Sequence, residues 1–173
     1  MKDLRALLIG LWLGAAVFFV AVAQSSFAVL PTRELAGAVV SRTLMIVNLS
    51  GLVIGLILLA TSFIKRAAAA QPFLLWMERL TLAIVTICCA VGQFVIGLWL
   101  AYVRAQIGRP IDEVAADDPL RIQFNNLHEY SVWILITGMI AALIAFFVIL
   151  RKSDKTIKDT TIGKIDEFKF DKF

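Results

Sequence analysis

Hydrophobic positions in this chain fall into four long blocks, about Ala6–Val29, Thr43–Ile64, Leu80–Val103 and Val132–Leu150, separated by short polar stretches. A helix needs roughly 20 apolar residues at 1.5 Å each to cross a bilayer, and every block is about that long. None of the blocks contains Asp, Glu, Lys or Arg. That pattern suits hydrocarbon, where a charge at mid-bilayer costs roughly 2.5–3.5 kcal/mol on insertion scales. Lipid offers the backbone no hydrogen-bond partner, so each block is predicted to be a helix. The expected fold is all-α: a polytopic membrane protein built as an antiparallel bundle of four transmembrane helices. Residues 1–152 form the membrane domain, and residues 153–173 form a charged tail.

Local signals refine the boundaries. Pro31 cannot continue a helical hydrogen-bond ladder and should end the first helix. Leu35, Val39 and Val40 lie at roughly helical spacing, so the second helix is expected to begin before Thr43. Asp118 followed by Pro119 reads as an N-cap and a proline in the first turn. From there Leu120, Phe124, Leu127, Ser131 and Gly138 recur at helical steps, so the fourth helix should start near Pro119 and reach about Arg151. The first block has a rival reading as a secretory signal, with Lys2 and Arg5 before an apolar run and Ala21-Val22-Ala23 as a cleavage-like site. The apolar run continues past Gln24 to Leu30, which favours an uncleaved helix.

Composition narrows the function. The chain has 173 residues, of which 60% are hydrophobic, and a mean hydropathy of +0.86. Its longest loop, about Arg104–Tyr130, is too short for a soluble catalytic domain. The formal charge of +4 does not point to nucleic acid, because seven of the 17 basic residues sit in Arg151–Phe173 and topology accounts for them. Placing both termini in the cytoplasm puts Lys2, Arg5, Lys65, Arg66 and the basic tail inside. Asp112, Glu113, Asp117 and Asp118 then lie outside. Trp76 would mark the inner interface, and Trp99, Tyr102, Tyr130 and Trp133 the outer one, while Trp12 fits neither belt well. The expected location is the inner (plasma) membrane, with the bilayer and other membrane subunits as partners. In the tail, Ile157, Ile162, Ile165, Phe168, Phe170 and Phe173 are spaced among charges and suit anchoring on a neighbour.

Two sets of residues are candidates for function. Gly10 with Gly14, and Gly51 with Gly55, form Gly-x-x-x-Gly pairs, and Gly138 with Ala142 forms a small-x-x-x-small pair. Such spacing lets helices approach closely in lipid, within this bundle or against a partner. Gln24, Arg42, Asn48, His128 and Glu129 are expected at similar depth near the outer end, where convergence would bury them away from lipid. The cluster reads either as interhelical hydrogen bonding or as a binding or conduction site. Gln93 lies deeper.

Cofactor chemistry has little support. His128 is the single histidine, whereas a haem in a bundle usually takes two axial ligands and a zinc or copper site three or four ligands. Cys88 and Cys89 are neighbours on a helix and read as packing residues. No nucleophile elbow, P-loop, zinc-protease motif or dinucleotide fingerprint occurs. The expectation is a protein without enzymatic activity, cofactor or metal, acting as an accessory or structural subunit of a larger membrane assembly. A small-solute or metal-ion carrier or channel using the outer polar cluster is the alternative. A haem-binding membrane subunit ranks third.

Asp118-Pro119-Leu120-Arg121, Phe124, His128 and Ser131 resemble the signature of the transmembrane-protein-205-like family of small four-helix membrane proteins. Leu11-Trp12-Leu13-Gly14, Phe27–Pro31 and Arg42 are similar too. The resemblance covers roughly Leu8–Phe147 and departs at Leu135, where the pattern has Asn. It implies a four-span fold and no established reaction.

Overall fold

The computed structural model describes the backbone of residues 2–64 and 72–170, and the side chains of residues 3–63 and 72–151. Helix α1 spans Lys2–Val29 and α2 spans Arg33–Ile64. The third span is continuous but not uniform: α3 (Pro72–Ala90), a π-helical segment (Val91–Gly97) and α4 (Leu98–Ile107) follow one another without a break. Helix α5 runs Pro119–Phe170, 52 residues. Four stretches are long and apolar enough to cross a membrane: Asp3–Val29, Arg33–Phe63, Pro72–Ile107 and Pro119–Arg151. The molecule is a helical polytopic membrane bundle.

Local chemistry explains the boundaries. α1 stops two residues before Pro31, and Thr32 caps the next helix by accepting a hydrogen bond from the Leu35 amide at 3.3 Å. The expected early start of α2 is therefore real. Gly108 ends α4 in a left-handed conformation, φ 63°, a backbone geometry that glycine adopts without a Cβ clash. The Asp118 carboxylate accepts the Leu120 amide at 2.8 Å, and its carbonyl accepts the Ile122 amide at 3.0 Å. That is the N-cap before Pro119 that the sequence indicates. α5 continues as helix beyond Arg151 to Phe170; the tail side chains, and Phe173 altogether, lie outside the described residues.

The spans pack as an up-and-down square: α1 against α2, α2 against α3, α3 against α5, and α5 back against α1, with α4 on α5. One end holds the start of α1, the end of α2 and the start of α3, and is called the Arg5 end. The opposite end holds Arg33 and the Gly108–Asp118 connection. Ala16, Ala141, Ala142 and Ala145 are buried, small residues that let helices approach closely. Large side chains such as Ile9, Trp12, Leu58 and Leu82 fill the space between them, while Phe18, Leu11, Ile87 and Trp133 are exposed. An apolar exterior around a packed apolar interior suits lipid as the solvent.

Candidate functional site

The most highly charged part of the interior lies at the Arg5 end. Arg5, in the first turns of α1, is only 7% exposed, and Glu78 of α3 only 3%. The Arg5 guanidinium donates to Glu78 Oε1 through Nη2. The same nitrogen donates to the Leu58 carbonyl at 3.0 Å, while Nη1 donates to Thr61 Oγ1 on α2. Beside this pair, Arg79 Nη2 donates to the Ser62 carbonyl at 2.8 Å, and its guanidinium carbon lies 4.5 Å from the centroid of the Phe63 ring. Two arginines from adjacent helices thus bind the last turns of α2. Leu58 and Ser62 lie in the last two turns of α2, and cations near a helix C-terminus are favoured by its dipole. Charge, capping and burial all tie α1, α2 and α3 together at one point.

A second polar group of residues sits halfway along the bundle. Trp12 is 2% exposed and donates its indole N–H to the Val47 carbonyl at 2.9 Å. It belongs to the core, which is why it fits neither interfacial belt. Gly51 and Gly55 make room around it. A Cβ on Gly51 would lie 2.3 Å from Trp12 Nε1 and 2.6 Å from Cys89 Sγ, and one on Gly55 would lie 2.4 Å from Thr86 Oγ1. Gly138 faces Cys88 and the Trp12 ring across the same space. Asn48 is buried at this level, with its amide against Gly92 in the π-helical segment; a Cβ there would lie 3.2 Å from Asn48 Nδ2. Cys88 and Cys89 are both free thiols.

Of the five residues expected to converge at the far end, only Asn48 is buried, and it sits near the middle of α2. Gln24, Arg42, His128 and Glu129 are exposed, and no hydrogen bond joins any two of the five. Glu129 instead accepts from Trp133 Nε1 at 3.5 Å within α5. Shared depth fixes height along the bundle axis but not the direction in which each helix points its side chain. Near a helix end, moreover, a polar group can reach the headgroup region without burial. Two exposed ion pairs tie the start of α2 to its neighbours: Arg33–Asp112 at 3.4 Å reaches the connection, and Arg104–Glu34 at 3.3 Å reaches α4. Exposed pairs of this kind contribute about 0–1 kcal/mol.

The Gly-x-x-x-Gly pairs divide sharply. Gly51 and Gly55 are filled from within the bundle. A Cβ on Gly14 would meet nothing within 4 Å, and one on Gly10 would meet only Phe146. Ala6, Leu7, Gly10, Leu11, Gly14 and Phe18 line an open groove on the outer face of α1. Among the described residues, no group of three or more His, Cys, Asp or Glu side chains is arranged to hold a metal ion.

The Arg5–Glu78 pair was not among the sequence candidates. Both residues flank the apolar blocks, where charges are ordinarily assigned to loops. The available signal was that opposite charges fall at the same end of two spans on the same side of the bundle. The π-helical segment left no periodic trace, and Gly92 and Gly97 alone do not specify it.

Four packed, membrane-length helices define this chain as a multi-pass helical membrane protein. It belongs to the family described as Domain of unknown function (DUF4149), whose model matches residues 7–109, from α1 to the turn after α4. The finer transmembrane-protein-205-like name has no support in that match, and the Asp118–Ser131 signature lies beyond the matched residues. No curated protein and no solved structure matches the chain.

Proposed function

We propose that this protein is a non-enzymatic subunit of a larger membrane assembly, held in the inner membrane with both termini in the cytoplasm. The observation that carries the reading is the open face of α1. A Cβ added at Gly14 would meet nothing within 4 Å, and Ala21, Gln24, Ser25 and Ala28 continue along exposed positions of the same helix. Small residues exposed to lipid gain nothing there, whereas against another helix they permit close backbone contact and interhelical hydrogen bonding. Gln24 and Ser25, whose side chains make no hydrogen bond to any described residue, add polar groups that such a helix can satisfy. The expected partner is a transmembrane helix of a different chain. Basic residues near the Arg5 end support the orientation by the positive-inside rule.

Native mass spectrometry of the protein extracted from its own membrane in a gentle detergent tests this. A complex with a second polypeptide is expected for the wild type and its loss for Gly14→Leu, with the circular dichroism spectrum unchanged. A lone monomer or homo-oligomer would overturn the reading and favour the carrier alternative. That second reading draws on the buried Arg5–Glu78 pair, since ionisable groups inside a membrane often mark substrate or ion pathways.

A further inference from the structure

We propose that Asn48 and the π-helical segment facing it form a neutral polar site at the centre of the membrane that holds a water molecule. Asn48 lies 15 residues after the first residue of α2 and 16 before the last, about 23 Å from either end at 1.5 Å per residue. Asn48 is more than nine-tenths buried, yet its side chain makes no hydrogen bond to any described residue. A carboxamide has two donors and one acceptor oxygen, and none of these can turn to lipid. Its amide rests against Gly92, inside Val91–Gly97, where the helix takes π-type bonds. Passing from i→i+5 bonding back to i→i+4 bonding skips one carbonyl. The third span therefore sets a stretch of altered backbone bonding against an unpaired side-chain amide. Gln93, next in the chain, is half-buried and also hydrogen-bonds no described residue.

Buried waters form about three hydrogen bonds with polar groups that would otherwise go unsatisfied, and ordered water is one of the means by which membrane helices satisfy freed backbone groups. The charged groups of the interior, Arg5, Glu78 and Arg79, are tied to one another and to α2 at the far Arg5 end. No formal charge lies beside Asn48 to balance an ion, which makes the occupant neutral. A hydroxyl or carbonyl of a membrane-dissolved compound shares this chemistry, and the experiment separates it from water.

The full chain, labelled with ¹⁵N at asparagine and reconstituted in deuterated synthetic phosphatidylcholine, is studied by solid-state NMR with polarisation transfer from water. The sequence has three asparagines, Asn48, Asn125 and Asn126; the last two are exposed on α5 and report solvent contact. The variant N125Q/N126Q leaves Asn48 as the single labelled site and assigns its signal without touching the bundle interior. The expected result is a water cross-peak to the Asn48 side-chain amide that Gly92→Ala abolishes, because the added methyl displaces the amide. Absence of that cross-peak, with Asn125 and Asn126 in contact with water, would overturn the proposal. So would a cross-peak from a proton that is neither water nor protein, which would identify a lipid-borne guest.

Discussion

At the scale of single residues, burial decides what a charge is worth. Arg5 and Glu78 are both shielded from solvent, and removing one member of such a pair leaves the other uncompensated, a loss of about 3–5 kcal/mol. Glu78→Ala should therefore lower the unfolding midpoint sharply in a detergent denaturation series. The double change Arg5→Met with Glu78→Leu should recover most of that loss, because it removes both desolvation costs. If Glu78→Ala melted like wild type, the pair would be solvated and without structural weight. Glycines divide by the same criterion. Gly51→Ala places a methyl against the Trp12 indole and the Cys89 sulfur and should cost about 1–3 kcal/mol of overpacking. Gly14→Ala enters open space and should change stability by no more than about 0.5 kcal/mol. Equal effects at the two positions in the same melting assay would refute this contrast.

At the scale of elements, the third span is the unusual one. A π-helical turn accommodates one more residue than the α-helical path it replaces, so deleting a residue there restores α-helix without rotating α3 against α4. Phe94 is exposed within that segment, and a chain lacking it should fold with a circular dichroism spectrum and melting point close to wild type. Deleting Leu82, which is fully buried in α3, would turn every later position of the span by about 100° and expose its packed face. That chain should fail to yield a folded monomer. Failure of the Phe94 deletion alone would mean that the π geometry itself is required for assembly. Helix ends behave more simply, and the signals at Pro31, Thr32, Asp118 and Pro119 act where they stand in the chain.

For the whole molecule, topology is the open quantity with the clearest readout. The native cysteines sit inside the third span, so a Cys88→Ser, Cys89→Ser background is needed before one cysteine is added to the tail. With both termini cytoplasmic, a membrane-impermeant maleimide should label that tail cysteine only after the inner face is exposed. Labelling of intact cells from outside would reverse the orientation and undo the charge assignment on which it rests.

Sequence alone determined the number of spans, their helical character and most of their ends. Those features follow from local causes: apolar length, proline, caps and the need of a backbone in lipid to bond to itself. It also marked Gly51 and Gly55 as close-contact positions, though not what would fill them. Only the tertiary structure decided which Gly-x-x-x-Gly pair is used internally, that Arg5 and Glu78 meet, and that Trp12 lies in the core. It also separated Asn48 from Gln24, Arg42, His128 and Glu129. Each of these depends on the rotation of one helix about its axis relative to another. Among uniformly apolar sequences that rotation is scarcely encoded by periodicity, because nearly every face of the helix is apolar. It is set instead by how small and large side chains from different helices fit together.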